Sequence, residues 1–274
     1  MENKIRRLLS QGEPTLGTHV SSTWPTLWEV VGATGQFDYI EFGSPYAAWD
    51  LRDLDNICRA AELTHTGTMI KIDRNPKDWI AQRAIAAGFE AILFADIMTA
   101  TEAEECVEAV KLPPEGVNSF LSTRGEAVPA DDYVKRIDDI VIAIMVEKRT
   151  LVEELEEALA IDGLDMVQFG ASDYGLSLRT PGKPFDQSQF KEKIQADLDR
   201  TSQMAIDAGV RPRIEARSAE SCQRYLDRGI LDFCIGWDTI MVGEWCMQHG
   251  KKVREMVSTS RRNAHQPSSS HTAI

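Results

Sequence analysis

Two carboxylates in this chain, Glu147 and Asp173, each follow a short apolar run and are candidate metal ligands. The runs are residues 140–147 (IVIAIMVE) and 164–173 (LDMVQFGASD), and each is typical of a buried strand in a parallel sheet. Hard oxygen ligands from two neighbouring strand ends, with space left for water and substrate, suit Mg²⁺ or a similar ion. A carboxylate after a strand is more often a helix cap or a solvated charge. The metal hypothesis therefore depends on what the other strands place nearby.

Eight apolar runs alternate with helical patterns, and this alternation predicts a (β/α)8 TIM barrel. The helical patterns have clear ends: residues 51–63 follow Asp50, and residues 78–87 end at Gly88. Further helices are predicted over residues 152–160, before Asp162-Gly163, and over residues 185–208, before Gly209. An open nucleotide-binding sheet is disfavoured because neither a G-x-G-x-x-G after the first strand nor a G-x-x-x-x-G-K-[ST] occurs. The predicted strands are residues 15–20, 37–42, 68–72, 90–94, 140–146, 164–169, 212–216 and 231–235.

Chemistry in such a barrel lies at the carboxyl ends of the strands, and acids predominate there in this chain. Converging carboxylates repel one another and raise each other's pKa unless a cation lies among them, which favours a metal. His19 ends the first strand and could be either a core histidine or a base. The strand-end residues are His19, Glu41 to Tyr46, Lys71, Asp73, Asp96, Glu147, Gln168, Asp173, Glu215, Arg217 and Asp238.

Composition excludes several classes of function. The chain has 274 residues, of which 43% are hydrophobic and 27% charged, and its net charge is −13. Phosphate binding needs a basic surface, so the acidic balance argues against a nucleic-acid partner. No apolar run has the roughly 18 residues of a membrane helix. The five cysteines stand singly without a C-x-x-C pair, which predicts neither disulfides nor a zinc knuckle and favours a cytoplasmic location.

The sequence predicts one main domain with two short flanking segments. Residues 1–13 form a polar N-terminal segment, residues 14–257 form the barrel, and residues 258–274 are rich in Ser, His and Pro and are predicted to be disordered. The longest stretch without a strand, residues 112–139, is predicted as a loop above the barrel mouth, with a short helix near 131–137.

The pattern resembles the HpcH/HpaI aldolases, a family of metal-dependent class II pyruvate aldolases, over about residues 14–257. The specific matches are Glu147 and the Gly-Ala-Ser-Asp turn that ends at Asp173. The matching segments are Leu16-Gly17, 37–40 (FDYI) with Gly43, 50–52 (DLR), 87–93 (AGFEAIL), 111–116 (KLPPEG), 146–149 (VEKR), 163–177 (GLDMVQFGASDYGLS) and 236–239 (GWDT).

This resemblance implies a specific site and reaction. Glu147 and Asp173 would bind the divalent metal, Mg²⁺ or Mn²⁺ with Co²⁺ as a further option. The substrate-binding residues would be Gln168 and the turn formed by Gly170, Ala171 and Ser172. A 2-oxo acid would chelate the metal, which stabilises the enolate formed when a carbon–carbon bond breaks and an aldehyde leaves. The resemblance also implies a homo-oligomer, a trimer or hexamer, in which subunits exchange the last helix, near 239–257.

The chain departs from this family at two positions. The third-strand Arg of the family aligns with Lys71, which supplies a charge but not a bidentate fork. The Gly-Glu-His segment becomes Gly-Ser-Pro-Tyr at residues 43–46, so no His remains there. Tyr46 or His19 could carry the proton, and we expect His19 because the first strand ends at the same rim.

Two alternatives follow from these departures. Lys71 could form a structural ion pair with Asp73 or Asp96 instead of facing substrate, since strand-end lysines among acids commonly pair. The whole protein could also be a metal-binding barrel that binds a small organic acid without turnover. A base close to the bound acid is the feature that separates this binding function from catalysis.

Overall fold

Eight parallel strands close into a barrel in chain order, so the prediction of a (β/α)8 TIM barrel is confirmed. The computed structural model describes residues 2–120 and 129–264, with side chains as far as residue 261. The strands are β1 (Thr15–Val20), β2 (Tyr39–Gly43), β3 (Gly67–Ile72), β4 (Ala91–Phe94), β5 (Val141–Val146), β6 (Met166–Phe169), β7 (Arg211–Ala216) and β8 (Asp232–Trp237). Each of the eight lies where an apolar run predicted a strand.

Helices connect the strands, as the alternating pattern requires. The helix α3 shows why the local signals succeed: the Asp50 side chain accepts the backbone N–H groups of Arg52 and Asp53, and the Asp53 carboxylate accepts the Asp50 N–H. The helices are α1 (Lys4–Ser10), α2 (Pro25–Ala33), α3 (Leu51–Leu63), α4 (Lys77–Ala87), α5 (Ala100–Val110), α6 (Ala130–Asp138), α7 (Arg149–Glu153), α8 (Leu155–Leu159), α9 (Ala171–Ser177), α10 (Lys191–Asp207), α11 (Ala219–Leu226) and α12 (Asp238–Ala264).

Two helices differ from their predicted bounds. Residues 152–160 do not form one helix, because the chain turns at Glu154 between α7 and α8, and the Glu154 carboxylate accepts the Ala100 N–H at 2.8 Å. Residues 185–208 begin with a 3-10 turn, Gln187–Phe190, before α10. None of the described helices combines the length and the apolar character needed to cross a membrane.

The core has two parts because alternate strand residues point to opposite faces of the sheet. The larger apolar cluster includes Phe42, Ile70 and Ile144 and lies between the strands and the surrounding helices. The smaller cluster includes Met69 and Leu93 from neighbouring strands and lies inside the barrel. The barrel interior is therefore apolar at one level and, as described below, charged at the level of the strand ends.

The predicted N-terminal segment, residues 1–13, contains the helix α1, which packs against the barrel. Ile5 is fully buried in the smaller apolar cluster. The Asn3 side chain donates hydrogen bonds to the carbonyl oxygens of Glu90 and Asp139, at 2.7 and 2.8 Å, and Arg6 forms an ion pair with Asp165. The sequence did not reveal these contacts because they join positions far apart in the chain.

The chain divides into two compact units, residues 1–236 and residues 237–274. Within the second unit, α12 continues to Ala264, so the predicted start of a disordered tail at residue 258 falls inside a helix. The rest of that predicted tail, residues 265–274, lies outside the described residues. Of the predicted loop at 112–139, the short helix is present as α6, and residues 121–128 lie outside the described part.

Glu90, which follows α4, gives the fold a specific pH dependence. Burial raises its pKa to about 7, although the backbone N–H groups of Lys4 and Ile5 and the charges of Lys4 and Arg136 act in the opposite direction. The folded chain therefore holds this proton more tightly than the unfolded chain, and its stability falls as the pH rises from about 4.5 to about 7. A shift of this size corresponds to about 3 kcal/mol.

We therefore expect Glu90→Gln to stabilise the protein progressively relative to wild type as the pH rises from 5.5 to about 7, with little further change up to pH 8. The amide keeps an oxygen that accepts the backbone N–H groups and removes the buried charge. Urea unfolding of both proteins at several pH values measures the difference. A difference that stays constant over this range would show that the Glu90 proton is not linked to folding.

Candidate active site

Polar side chains of β1, β2, β3, β6 and β7, together with Glu147 directly after β5, lie inside the barrel toward its carboxyl end. His19, Lys71, Glu147 and Gln168 are each at most 6% exposed. Register brings neighbours together, since His19 pairs with Glu41 across β1 and β2, and Gly43 pairs with Lys71 across β2 and β3. These residues, which the sequence placed at strand ends, thus lie at one end of the barrel.

Glu147 directly follows β5 and is held in place by two backbone features. Its Oε1 accepts the Asp96 N–H at 2.7 Å, and Asp96 adopts a left-handed φ of 60°, which is uncommon for a residue other than glycine. A Cβ at Gly170 would lie 2.5 Å from Glu147 Oε2, so only glycine fits there. Burial raises the pKa of Glu147, and the charge of Lys71, the Asp96 N–H and the charge of Lys148 partly oppose this rise.

Asp173 lies in the first turn of α9, close to Glu147 in the fold, and a lysine reaches it. The Lys148 ammonium forms an ion pair with Asp96 and lies 3.9 Å from Asp173 Oδ1. We call these four residues, Asp96, Glu147, Lys148 and Asp173, the carboxylate corner. The sequence placed Glu147 and Asp173 at such a site and did not assign Lys148 to it.

The donor set of the carboxylate corner fits a hard divalent cation. A positive group, the Lys148 ammonium, already lies against its aspartates, which shows that the local field favours a cation there. Within residues 2–120 and 129–264, no group of three or more His, Cys, Asp and Glu side chains forms a protein cage for a metal. The fit is therefore that of a cation held by Glu147 and Asp173, with water or substrate at the other positions, as is common for Mg²⁺.

Lys71 lies beside the carboxylate corner and contacts Tyr46 at the opening of the barrel. Its Nζ donates to Tyr46 Oη at 3.0 Å and lies 5.3 Å from the centre of the Tyr46 ring. Burial opposes its charge, but Tyr46, Glu147 and Glu41 outweigh that effect and raise the pKa of Lys71. Lys71 therefore keeps its ammonium charge. Among the described residues Asp96 pairs with Lys148, so the alternative pairing of Lys71 with Asp96 is not found.

His19 lies deeper and belongs to a buried charge network. Its Nδ1 is 3.5 Å from Glu41 Oε1, and the other oxygen of Glu41 accepts a hydrogen bond from Arg213. Burial raises the pKa of Glu41, but Arg213, His19 and Lys71 more than offset this, so its net pKa is lowered and it stays a carboxylate. A Cβ at Gly43 would lie 2.3 Å from His19 Nε2, so glycine makes room for the imidazole.

The two candidate proton carriers are neighbours of different exposure. The ring centres of His19 and Tyr46 are 6.4 Å apart. His19 is 2% exposed, whereas Tyr46 is 53% exposed. The structure thus brings both to the site, one inside the barrel and one at its opening, and leaves the assignment of the base as a prediction.

Arg213, on β7, is a second residue of the site, besides Lys148, that the sequence analysis does not predict. It is 1% exposed and crosses the barrel, donating through Nε to Tyr39 Oη at 2.6 Å and contacting Gln168 and Glu41 through its other nitrogens. Its position within the predicted strand 212–216 could have indicated this role, because an arginine inside a buried strand needs a charged or polar partner. For this strand, the sequence analysis names only Glu215 and Arg217 as strand-end residues.

Gln168 joins this network at both ends of its amide. Its carbonyl oxygen accepts from Arg213, and its Nε2 donates to Glu215 Oε2 at 3.1 Å. The adjoining turn is fixed by the Gly170 N–H, which donates to the Val146 carbonyl at 3.0 Å. Direct contacts of Gln168, and of Gly170, Ala171 and Ser172, with a substrate stay predictions.

The fold and this site define a (β/α)8 barrel with an acidic mouth. Residues 47–229 match the model of the HpcH/HpaI aldolase/citrate lyase family, and the chain belongs to this family.

Relatives of known activity align along nearly the whole chain. It is 25% identical to a hydroxypyruvate/pyruvate aldolase of Roseovarius nubinhibens over 250 residues, covering 90% of this chain and 95% of that protein. It is 24% identical to a 4-hydroxy-2-oxo-heptane-1,7-dioate aldolase of Escherichia coli over 248 residues, covering 88% and 91%. A family protein of Burkholderia cenocepacia shares the fold, with a TM-score of 0.81, 23% identity and coverage of 92% and 100%.

Proposed function

We propose that this chain is a divalent-metal-dependent carbon–carbon lyase that breaks or forms the bond next to a 2-oxo acid, with an aldehyde as the second product or reactant. The observation that carries this proposal is the carboxylate corner beside the charged Lys71 and the buried His19. Family membership supports the lyase class, and the relatives described above are aldolases named for 2-oxo acids.

Glu147 and Asp173 are the proposed metal ligands, for Mg²⁺ or Mn²⁺. The bound cation would supply Lewis-acid stabilisation of the negative charge that develops on the 2-oxo acid. The Asp96 N–H and the absence of a side chain at Gly170 fix where the Glu147 oxygens lie. Fixed ligand positions lower the reorganisation needed during reaction.

Lys71 is the proposed electrostatic partner of the same developing charge. Its ammonium remains protonated and is oriented by the hydrogen bond to Tyr46. A point charge can stabilise one oxygen but cannot form the two parallel hydrogen bonds of a guanidinium. We therefore infer that the backbone of Gly170, Ala171 and Ser172 and the Gln168 side chain contribute the remaining contacts with the substrate carboxylate.

His19 is the proposed proton carrier. Glu41 next to Nδ1 favours the tautomer with its proton on that nitrogen, so Nε2 becomes the basic nitrogen. Arg213 keeps Glu41 ionised and in position. Glu41 and Arg213 are thus positioning residues, which act on the reaction through His19.

A second candidate, binding of an organic acid without turnover, is favoured by one observation. The carboxylate corner already contains an ammonium, that of Lys148, where the lyase needs a metal. Exchange of the C3 protons of pyruvate with D₂O separates the two functions, because exchange requires a base and binding does not.

We expect the protein with Mg²⁺ or Mn²⁺ to catalyse this exchange, observed by proton NMR as loss of the methyl signal. EDTA, Glu147→Gln and Asp173→Asn should each lower the rate at least about a hundredfold, since each removes the cation and its charge stabilisation. Asp186→Asn, an exposed change outside the site, is the matched control. Exchange that persists unchanged in EDTA would contradict the metal proposal, and binding of pyruvate without exchange would favour the second candidate.

The assignment of the base has its own test in the pH dependence of that exchange. His19→Gln should reduce the rate about a hundredfold or more and remove one limb of the pH–rate profile, while the affinity for Mn²⁺ stays close to wild type. Tyr46→Phe should have a smaller effect, through the orientation of Lys71. If Tyr46→Phe loses the limb and His19→Gln retains it, the phenol is the proton carrier.

The helix α12 supports the proposal of a homo-oligomer, a trimer or hexamer. Many of its large apolar side chains are exposed, a pattern that marks interaction surfaces when they are contiguous. They are Ile240, Met241, Val242, Trp245, Met247, Val253, Met256 and Val257.

Light scattering at micromolar concentration should give at least a trimer. Trp245→Asp should lower the mass, because it places a charge within an apolar interface, whereas Glu244→Asp should leave it unchanged. A monomeric wild-type protein would contradict this proposal.

A further inference from the structure

The ammonium of Lys148 lies beside Asp173, one of the two proposed metal ligands. Its ammonium forms an ion pair with Asp96 and is 3.9 Å from Asp173 Oδ1, and its side chain is 19% exposed. Glu147 is its neighbour in sequence and is joined to Asp96 by a 2.7 Å hydrogen bond. The carboxylates of Asp96 and Asp173 thus both lie beside this one ammonium.

We propose that Lys148 is a built-in competitor for the metal: its ammonium occupies the carboxylate corner in the cation-free chain, and a divalent cation binds there only by displacing it from Asp173. This inference rests on the proposed metal site of Glu147 and Asp173 and deepens it. The metal affinity of this chain then reflects the exchange of one cation for another, and not the binding of a metal to a site that holds no cation.

The physical basis is repulsion between like charges at short range. A divalent cation bound to Asp173 would lie within a few ångströms of the present position of the ammonium. At such a distance, two positive charges repel each other even near a protein surface. The ammonium and the metal therefore cannot both contact Asp173, and binding of the metal includes the cost of moving Lys148.

Asp96 provides the place to which Lys148 can withdraw. Its side chain is 49% exposed, and its backbone is tied to Glu147, so it can keep the ammonium on its solvent side. The flexible four-carbon stem of lysine permits this movement without a change in the backbone. Release from Asp173 therefore does not leave a buried unpaired charge.

The first test measures Mn²⁺ affinity by titration calorimetry on the EDTA-treated full chain. Lys148→Met keeps the apolar stem and removes the charge, so it should bind Mn²⁺ about tenfold tighter or more. Lys148→Arg keeps the charge and should bind like wild type. Lys77→Met is the matched control, because Lys77 forms a comparable ion pair with Glu105, 2.6 Å, between α4 and α5. Melting curves verify that each variant is folded.

The second test follows the lysine itself in the wild-type protein. Saturating Mg²⁺ should increase the rate at which acetic anhydride labels Lys148, measured by mass spectrometry, and leave the rate at Lys77 unchanged. This readout needs neither a substitution nor enzymatic activity.

The outcomes separate this inference from the proposed function. In one outcome, Mn²⁺ binds wild type and Asp173→Asn abolishes this binding, which supports the metal site. If Lys148→Met then binds Mn²⁺ no tighter than wild type, and Mg²⁺ does not speed the labelling of Lys148 in wild type, the competitor role is wrong and the metal site stands. If neither wild type nor Lys148→Met binds Mn²⁺, both the metal site and the competitor role are overturned. Tighter binding in Lys148→Met with Lys148→Arg equal to wild type supports both.

Discussion

The buried ion pair of Glu41 and Arg213 is the interaction on which the barrel mouth depends. Both side chains are almost fully enclosed, and an unpaired charge in such surroundings costs several kcal/mol. Arg213 also satisfies Tyr39 and Gln168, so one guanidinium links strands from opposite sides of the barrel. We call these four residues, Tyr39, Glu41, Gln168 and Arg213, the lower layer of the site. This layer is rigid because none of its polar groups can move without leaving another without a hydrogen-bond partner.

The upper layer of the site is the carboxylate corner together with Lys71. Its charges are also paired, but its ion pairs are more exposed to solvent than that of Glu41 and Arg213. Glu147 is buried beside Lys71, whereas Asp96 and Asp173 are about half exposed and share Lys148. Exposed ion pairs are worth less and rearrange more easily than buried ones. The mouth thus combines a fixed lower network, which orients His19, with an upper corner whose cation can change.

Local patterns in the sequence were sufficient for the barrel and for two of its acids. Apolar content and helix capping act over a few residues, so β5, β6 and the carboxylates after them could be located without tertiary information. Arg213 could not be placed in this way, because its partners Tyr39, Glu41 and Gln168 are 174, 172 and 45 positions away.

Two further features depend on residues far apart in sequence and could not be predicted for the same reason. They are the packing of α1 through Asn3 and the contact of Glu154 with Ala100, at the point where a predicted helix is interrupted. The role of Lys148 was hidden for another reason. A lysine after a strand-end glutamate is an ordinary surface residue until the fold brings two aspartates to it.

Lys71 connects the two layers, and this explains why a lysine suits the position. Its ammonium is influenced by Glu41 from the lower network, by Glu147 from the upper corner and by Tyr46 at the opening. Tyr46 accepts a direct hydrogen bond and the two carboxylates act through their charge, whereas the planar fork of an arginine needs two acceptors in one plane. A compact point charge can serve all three at once. A lysine at this position therefore combines a hydrogen bond to Tyr46 with the influence of two nearby negative charges, without the two coplanar acceptors that an arginine needs.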